Sequence, residues 1–252
     1  MTKFSSDQVQ LNYDSRGSGP AVVMLHGFGM TGQLCWIETG WARHLETAGF
    51  RAIVLDSRGH GLSDKPADAS AYRAESMTAD VINLLDHLAV ERAHLIGHSM
   101  GARTAFDVAL KHPRRLSSLI TVSLGSNLFE AVEPAALIRA FRGGDIAAVP
   151  PAIRQTAETL LSIGNSREAL VACLSAPRPV PDIHELAAIG QPVMLACGDK
   201  DAIVGDPVAV AAALPNAEAH LFAGFEHTDI LGSEDLQALA MQFLRAACSE
   251  EI

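Results

Sequence analysis

The stretch Gly97-His98-Ser99-Met100-Gly101 decides the fold that the sequence predicts. A largely apolar run, residues 93–96, precedes it, and apolar residues at helical spacing follow it, which together indicate a strand, a sharp turn and a helix. Such a turn exposes a serine hydroxyl, and the flanking glycines remove Cβ atoms where the turn is tightest. Ser99 is therefore a candidate nucleophile. Because so short a pattern recurs by chance, the rest of the chain has to support this interpretation.

Strand-like runs alternate with helical segments along most of the chain. Several runs are almost wholly apolar, as expected for parallel strands that are buried on both faces. The segments between them repeat apolar residues at spacings of three and four, which is typical of amphipathic helices. This alternation predicts an α/β fold with a mostly parallel, twisted sheet flanked by helices. The predicted strands are residues 9–13, 21–25, 52–55, 93–96, 116–122, 193–197 and 217–222, and the clearest helices are 77–88, 102–110 and 236–244.

One long segment, residues 126–186, interrupts this alternation. It contains no convincing buried strand, has helix-prone parts at 135–141 and 153–163, and ends in a proline-rich stretch. A segment of this length is too long for a bare loop in a compact domain, so it predicts a small helical cap inserted into a core formed by 1–125 and 187–252. The cap is expected to cover the carboxyl ends of the strands, where ligands bind. The alternative is an extra pair of packed helices without a functional role.

The chain resembles the α/β-hydrolase fold family, in its serine hydrolase branch, over nearly its whole length outside that insertion. Three motifs match in the order of the family: residues 26–29, His-Gly-Phe-Gly, after the second predicted strand; residues 56–64, Asp-Ser-Arg-Gly-His-Gly-Leu-Ser-Asp, after the third; and the serine turn itself. The resemblance implies that the backbone amides of Phe28 and Met100 form an oxyanion hole. It also implies that the loop 56–64 is mainly structural, so none of its charged groups is assigned to catalysis.

A fourth match supplies a carboxylate and a histidine. Residues 193–197 lead into Gly-Asp-Lys-Asp, and residues 217–222 lead into a loop that ends at His227. By the family pattern the acid is Asp201, with Asp199 as the nearest rival; no acid follows the strand ending at Val122. Asp201 or His227 alone could be an ordinary loop residue. Their joint position after successive strands, downstream of Ser99, favours a catalytic triad of Ser99, Asp201 and His227.

The resemblance implies acyl transfer in two steps. His227 takes the Ser99 proton, Asp201 orients the imidazole, and water then completes hydrolysis. A serine at position 99 disfavours the family branches with an aspartate nucleophile, such as haloalkane dehalogenases and epoxide hydrolases. The expected substrate is a small or medium carboxylic ester or lactone. Two alternatives stay open: a hydrolase of carbon–carbon bonds in diketone-like compounds, and a non-catalytic ligand receptor of the same fold.

Apolar side chains in the loops and in the insertion are candidates for the substrate pocket. Trp36, Phe129 and Phe141 are equally compatible with a place in the core beneath the cap, which is the commoner position for an isolated aromatic residue. The substrate-binding candidates are Phe28, Trp36, Met100, Phe129 and Phe141.

Composition and charge narrow the partners. The 252 residues carry a formal charge of -10, without a block of like charges, which disfavours nucleic acid and anionic membranes and leaves a small-molecule substrate as the expected partner. The N-terminal residues lack an apolar signal and no run approaches the roughly 20 apolar residues of a membrane span, so we expect a cytoplasmic protein. The sequence gives no indication of the oligomeric state.

Several other patterns do not predict a cofactor or a metal site. The four cysteines are widely scattered, which favours free thiols. His94 and His98 are four residues apart, but on a strand and its following turn rather than on a helix, so a zinc site is not expected. The stretch 17–19, Gly-Ser-Gly, precedes a strand instead of following one and is predicted to be a hairpin turn.

Overall fold

A single eight-stranded sheet forms the centre of the computed structural model, which describes residues 2–131, 134–143 and 148–249. Its order is β1-β2-β4-β3-β5-β6-β7-β8; β2 pairs antiparallel with β1 and β4, and the other pairs are parallel. This confirms the predicted α/β fold with a mostly parallel sheet. The strands are β1 Thr2–Ser6, β2 Val9–Arg16, β3 Ala21–Leu25, β4 Arg51–Leu55, β5 Ala93–His98, β6 Leu116–Val122, β7 Val193–Gly198 and β8 Ala217–Phe222.

Helices cover both faces of the sheet. Alternate side chains of the central strands point to opposite faces, so that Val23 and Leu25 join one core layer whereas Val22 and Met24 join the other. The first layer is closed by α2, α3 and α7, and the second by α1 and α8. The α-helices are α1 Trp41–Thr47, α2 Ala74–His87, α3 Met100–Lys111, α4 Ala135–Arg142, α5 Pro151–Ser162, α6 Arg167–Ser175, α7 Pro207–Ala211 and α8 Glu234–Ser249.

The described residues of the segment between β6 and β7 form helices joined by irregular stretches, without a strand. The segment contains α4, α5 and α6, with short 3-10 helices at Ser126–Phe129 and Ile183–Ala188. The sequence did not predict α6, which begins after Ser166; the hydroxyl of that serine accepts a hydrogen bond from the Ala169 amide. The division into a core and a cap at 126–186 stays a prediction. Positions 1, 132–133, 144–147 and 250–252 of that division lie outside the described residues.

Two local predictions fail because tertiary pairing overrides the local pattern. The stretch 17–19 is not a hairpin turn, since β2 and β3 both pair with β4 and are not neighbours in the sheet. Strand β1 was missed because it lies at the sheet edge and buries only Phe4 and Ser6, which leaves no apolar run to recognise. No helix in the described part of the chain is long and apolar enough to cross a membrane.

Candidate active site

The turn at Ser99 holds its hydroxyl at the carboxyl end of the central strand β5. Ser99 has φ 52° and ψ −110°, a strained backbone conformation for a residue with a side chain, and α3 begins at the next residue. Its amide donates to the Val122 carbonyl at 2.9 Å, which ties the turn to β6. A Cβ added at Gly101 would lie 2.1 Å from the Leu25 carbonyl oxygen. Glycine is therefore required there because α3 passes so close to β3.

The structure brings the three predicted triad residues together. The distance between Ser99 Oγ and His227 Nε2 is 2.9 Å, and that between His227 Nδ1 and Asp201 Oδ2 is 2.7 Å. Their loops follow β5, β8 and β7, whose carboxyl ends meet at the same edge of the sheet. The Ser99 hydroxyl donates to Nε2, and the Nδ1–H group donates to the carboxylate, so the imidazole is in the tautomer that can accept the serine proton.

The surroundings of the Asp201 carboxylate favour its ionised form. Its side chain is fully shielded from solvent, and its Oδ1 accepts a further hydrogen bond from the Ile203 amide at 3.0 Å. Burial opposes ionisation, but the hydrogen bond and charge of His227, with the Ile203 amide and the Ser123 hydroxyl, hold the pKa of Asp201 below its usual value. The rival Asp199 accepts a hydrogen bond from the Gly224 amide at 2.7 Å instead.

The backbone amides of Phe28, before the serine in the sequence, and of Met100, directly after it, are the predicted donors of the oxyanion hole. A Cβ added at Gly27 would lie 3.5 Å from Ser99 Cβ, so the loop that carries Phe28 lies against the serine turn. Met100 is the first residue of α3, where backbone N–H groups have no partner within the helix. Among the described residues, no protein acceptor is hydrogen-bonded to either amide. Both N–H groups are therefore without a protein partner in the described part of the chain, which is what the predicted oxyanion hole requires.

Two further residues contact His227 that sequence reasoning did not select. His98 Nε2 lies 2.9 Å from the His227 carbonyl oxygen, and Ser123 Oγ donates to the same oxygen at 2.8 Å. Burial, followed by the nearby charge of His227, lowers the pKa of His98 to about 4. The signals available in the sequence were weak: His98 lies inside the serine pentapeptide, and Ser123 follows a strand at a position considered only for an acid.

The loops after β3 and β4 support the site through structural contacts. His26 is fully buried, and its Nε2 accepts a hydrogen bond from the Ser57 amide at 3.0 Å. Burial lowers the pKa of His26, so the imidazole is neutral at pH 7. The Asp56 carboxylate accepts hydrogen bonds from the amides of Gly32 and Leu62 at 2.8 and 3.0 Å. These partners agree with the expectation that the loop 56–64 is mainly structural.

The substrate-binding candidates separate into two groups. Phe28 packs against Phe141 of α4, with ring centroids 6.3 Å apart, and Met100 Sδ lies 3.9 Å from Cys173 Sγ of α6. These residues lie where the predicted cap meets the serine turn. Trp36, in contrast, is fully buried in the core layer beneath α1 and α8, and its assignment to the pocket stays a prediction. Phe129 is half-buried and packs against the opposite core layer.

A separate cavity of about 600 Å³ opens beside this site. It lies between β2, the segment after β3 and the tip of the loop between α5 and α6, and its lining includes Thr31, Leu62 and Ile163. The triad does not line it. In the described ranges, no group of three or more histidine, cysteine, aspartate or glutamate side chains is placed to hold a metal ion.

Comparisons with known proteins agree with the observed fold. A family model described as alpha/beta hydrolase fold matches residues 20–156. The chain is 38% identical over 123 residues to an epoxide hydrolase of Caballeronia sordidicola, covering 48% of this chain and 36% of the relative. It is also 38% identical over 131 residues to a 2-hydroxy-6-oxononadienedioate/2-hydroxy-6-oxononatrienedioate hydrolase of Paraburkholderia xenovorans, covering 49% and 43%. The matches thus span 36% and 43% of these curated relatives.

Solved structures match over almost the whole chain. The enzyme Est816, described as degrading N-acyl homoserine lactones, superposes with a TM-score of 0.78 at 26% identity, covering 96% of this chain and 100% of that one. A thermophilic esterase from Thermogutta terrifontis superposes with a TM-score of 0.78 at 24% identity, covering 98% of both chains. The second likeness shows the fold alone.

Proposed function

The chain belongs to the alpha/beta hydrolase fold family, and we propose that it hydrolyses a small or medium carboxylic ester or lactone through an acyl-enzyme on Ser99. One observation carries the proposal: Ser99 Oγ lies 2.9 Å from His227 Nε2, and the other ring nitrogen lies 2.7 Å from the shielded Asp201 carboxylate. A hydroxyl in contact with an oriented base is the arrangement that acyl transfer requires.

The first step forms the acyl-enzyme. As Ser99 Oγ attacks the carbonyl carbon, its proton passes to His227 Nε2, and the carbonyl oxygen becomes an oxyanion. The amides of Phe28 and Met100 would stabilise that charge, an effect worth roughly 2.7–4 kcal/mol per donor in comparable sites. The carbon–oxygen bond to the alcohol then breaks, and the leaving oxygen takes the proton from Nε2. In the second step, water activated by His227 attacks the acyl carbon and releases the acid and the serine.

A serine nucleophile is not suited to the hydrolysis of an epoxide, the reaction named for the relative from Caballeronia sordidicola. Attack of a serine oxygen on an epoxide carbon forms an ether, which water activated by a histidine does not cleave, so the enzyme would be trapped after one turnover. Attack on a carbonyl carbon forms an ester, which the same water can cleave. Position 99 therefore supports acyl transfer rather than epoxide opening.

The lactone part of the proposal draws on the similarity to Est816, a 26% identical enzyme of known structure that is described as degrading N-acyl homoserine lactones. A second candidate function, hydrolysis of a carbon–carbon bond in a diketone-like compound, draws on the 38% identity to the Paraburkholderia xenovorans enzyme. Both reactions use a carbonyl electrophile, so the triad alone does not separate them. The ester and lactone reading ranks first because its substrate carries its own leaving oxygen, which Nε2 can protonate directly.

A substrate panel on matched variants tests the proposal. p-Nitrophenyl esters of increasing chain length, N-acyl homoserine lactones, diketone-like compounds and epoxides are assayed on the wild type, Ser99→Ala and the control Ser249→Ala, whose hydroxyl is exposed at the end of α8. We expect turnover of short esters or lactones, a loss of about 10⁴-fold or more in kcat for Ser99→Ala, and no effect of the control.

Three results would overturn the proposal. A loss of less than tenfold in Ser99→Ala would remove Ser99 as the nucleophile, and turnover of epoxides alone would contradict the acyl mechanism. Tight binding of one of these compounds, without turnover of any of them, would favour the receptor alternative.

A further inference from the structure

His227, the general base of the proposed mechanism, lies on an exposed loop. The chain from Ala223 to Asp229 follows edge strand β8, and most of its residues are exposed or half-buried. Surface loops move more than the elements that they connect. The His227 ring nevertheless has to keep both hydrogen bonds, to Ser99 and to Asp201, while a proton crosses it. Something outside the loop must therefore restrain its backbone.

The backbone carbonyl of His227 is held from two central strands. His98, the last residue of β5, points Nε2 at this oxygen at 2.9 Å, and Ser123, directly after β6, donates its hydroxyl at 2.8 Å. A carbonyl oxygen has two lone pairs, so it accepts both bonds at once. Both donors are buried, with 2% and 1% of their surfaces exposed, and they lie at the carboxyl ends of two inner strands of the sheet.

The protonation state of His98 suits this contact. Because Nε2 faces a carbonyl oxygen, the ring proton must be on Nε2, which leaves Nδ1 bare; Nδ1 is buried without a protein partner among the described residues. A Cβ added at Gly27 would lie 2.6 Å from Nδ1, so the ring also abuts the loop that carries Phe28. With a pKa of about 4 the ring stays neutral, which avoids a second positive charge where the ring centroids of His98 and His227 are 5.2 Å apart.

The backbone at Ser123 is strained in a way that serves the same contact. Ser123 has φ 57°, an unfavourable conformation for a residue with a side chain that persists only where the surroundings impose it. Its amide donates to the Ala196 carbonyl of β7 at 2.9 Å, which fixes the turn. The strained turn directs the hydroxyl towards the His227 carbonyl, to which it donates its one proton.

We propose that His98 and Ser123 are positioning residues, which clamp the His227 carbonyl from β5 and β6 and thereby hold the imidazole between Ser99 and Asp201. This inference rests on the proposed function, since it concerns the same proton transfer. Neither side chain touches the reacting atoms. Losing the clamp should reduce the fraction of molecules with an aligned ring, which lowers kcat and leaves KM nearly unchanged.

Three variants and a matched control test the clamp. Ser123→Ala removes one donor, His98→Leu removes the other, and His98→Gln keeps an N–H donor near the position of Nε2. The control, Ser118→Ala, removes another buried hydroxyl from the same strand, one that contacts His94 and lies roughly 16 Å from Ser123 along the strand. We expect about tenfold lower kcat for Ser123→Ala and His98→Leu, which is the scale of one lost hydrogen bond, and recovery to within about threefold in His98→Gln.

A second measurement separates this inference from the proposed function. The rate at which an organophosphonate modifies Ser99 reports the serine–histidine pair without depending on which ester is turned over. If the wild type neither turns over esters nor reacts with the phosphonate, the proposed function fails. If the wild type reacts but Ser123→Ala and His98→Leu match Ser118→Ala in kcat and in phosphonate rate, the clamp is wrong. A fall in melting temperature without a change in kcat in folded Ser123→Ala would also overturn it.

Discussion

The sharpest test of the triad compares Asp201→Asn with Asp199→Asn. The two aspartates are two residues apart on one loop, yet only Asp201 contacts the His227 ring, at 2.7 Å. In Asp201 one oxygen accepts the Ile203 amide and the other accepts His227 Nδ1–H. An asparagine offers one acceptor and one donor group, so one of these two bonds must be lost.

The consequence follows from the tautomer. If the asparagine oxygen keeps the Ile203 bond, its NH₂ group faces Nδ1, the ring proton moves to Nε2, and Nε2 can no longer accept the proton of Ser99. The opposite orientation leaves the Ile203 amide facing an NH₂ group, which loses one hydrogen bond at an exposed position, at a cost of about 0.5–1.5 kcal/mol. That cost alone disfavours the active tautomer by roughly 2- to 13-fold. Loss of the carboxylate charge beside the imidazolium adds to this, so we expect a total fall in kcat of about 10⁴-fold, as in other triads.

Asp199→Asn is the matched control. The Asp199 carboxylate accepts the Gly224 amide at 2.7 Å from an exposed position, and an asparagine oxygen can accept the same bond. We expect its kcat to stay within about threefold of the wild type, because an exposed hydrogen bond to a retained acceptor changes little. The assay is kcat and kcat/KM on the best ester of the panel, with melting temperatures to show that both variants fold. A larger loss in Asp199→Asn, or less than tenfold in Asp201→Asn, would refute the assignment.

Two further predictions concern stability. Gly101→Ala places a Cβ 2.1 Å from the Leu25 carbonyl oxygen, so we expect its melting temperature to fall by about 5 °C or more. The control Gly190→Ala, whose added Cβ has nothing within 4 Å, should melt like the wild type. Equal melting temperatures for the two variants would contradict the close approach of α3 to β3. Burial lowers the pKa of His98 to about 4 and of His60 to about 3, so the unfolded chain takes up more protons than the native one below about pH 6.5, and stability decreases as the pH falls towards these values. We expect each histidine to lower the free energy of unfolding by about 2 kcal/mol when the pH falls from 8 to 5. In His98→Gln the difference in unfolding free energy between pH 8 and pH 5 should therefore be smaller by about 2 kcal/mol than in the wild type. An unchanged pH dependence in urea titrations of that variant would contradict the prediction.

The boundaries of the central elements were predictable because burial on both faces demands apolar sequence. The observed β3 and β6 have the predicted bounds, and β4, β5 and β7 differ by one or two residues at an end; the half-exposed edge strand β8 is an exception that also has its predicted bounds. Elements at the periphery were harder to predict. Helix α6 in the inserted segment and edge strand β1 escaped, because both are short and depend on packing against neighbours that the local pattern does not reveal.

The aromatic residues show a different limit. Trp36 and Phe141 are both large and apolar, and no local property distinguishes a pocket residue from a core residue. In the folded protein Trp36 packs edge-to-face with Trp41 in the core, whereas Phe141 packs with Phe28 beside the serine turn. Which face of its element a residue presents to which neighbour depends on how the helices are docked, and that information is not local.

The sequence by itself determined the α/β class and the serine turn, because both depend on backbone preferences and hydrophobic periodicity within a few residues, and its resemblance to the family implied the order of serine, acid and histidine with Asp201 as the acid. Only the tertiary structure showed that Asp201 contacts the His227 ring whereas Asp199 binds the Gly224 amide, and that His98 and Ser123 hold the His227 carbonyl. The reason is physical. Strand order and loop packing set distances between residues more than 100 positions apart, and a hydrogen bond tolerates only a few tenths of an ångström.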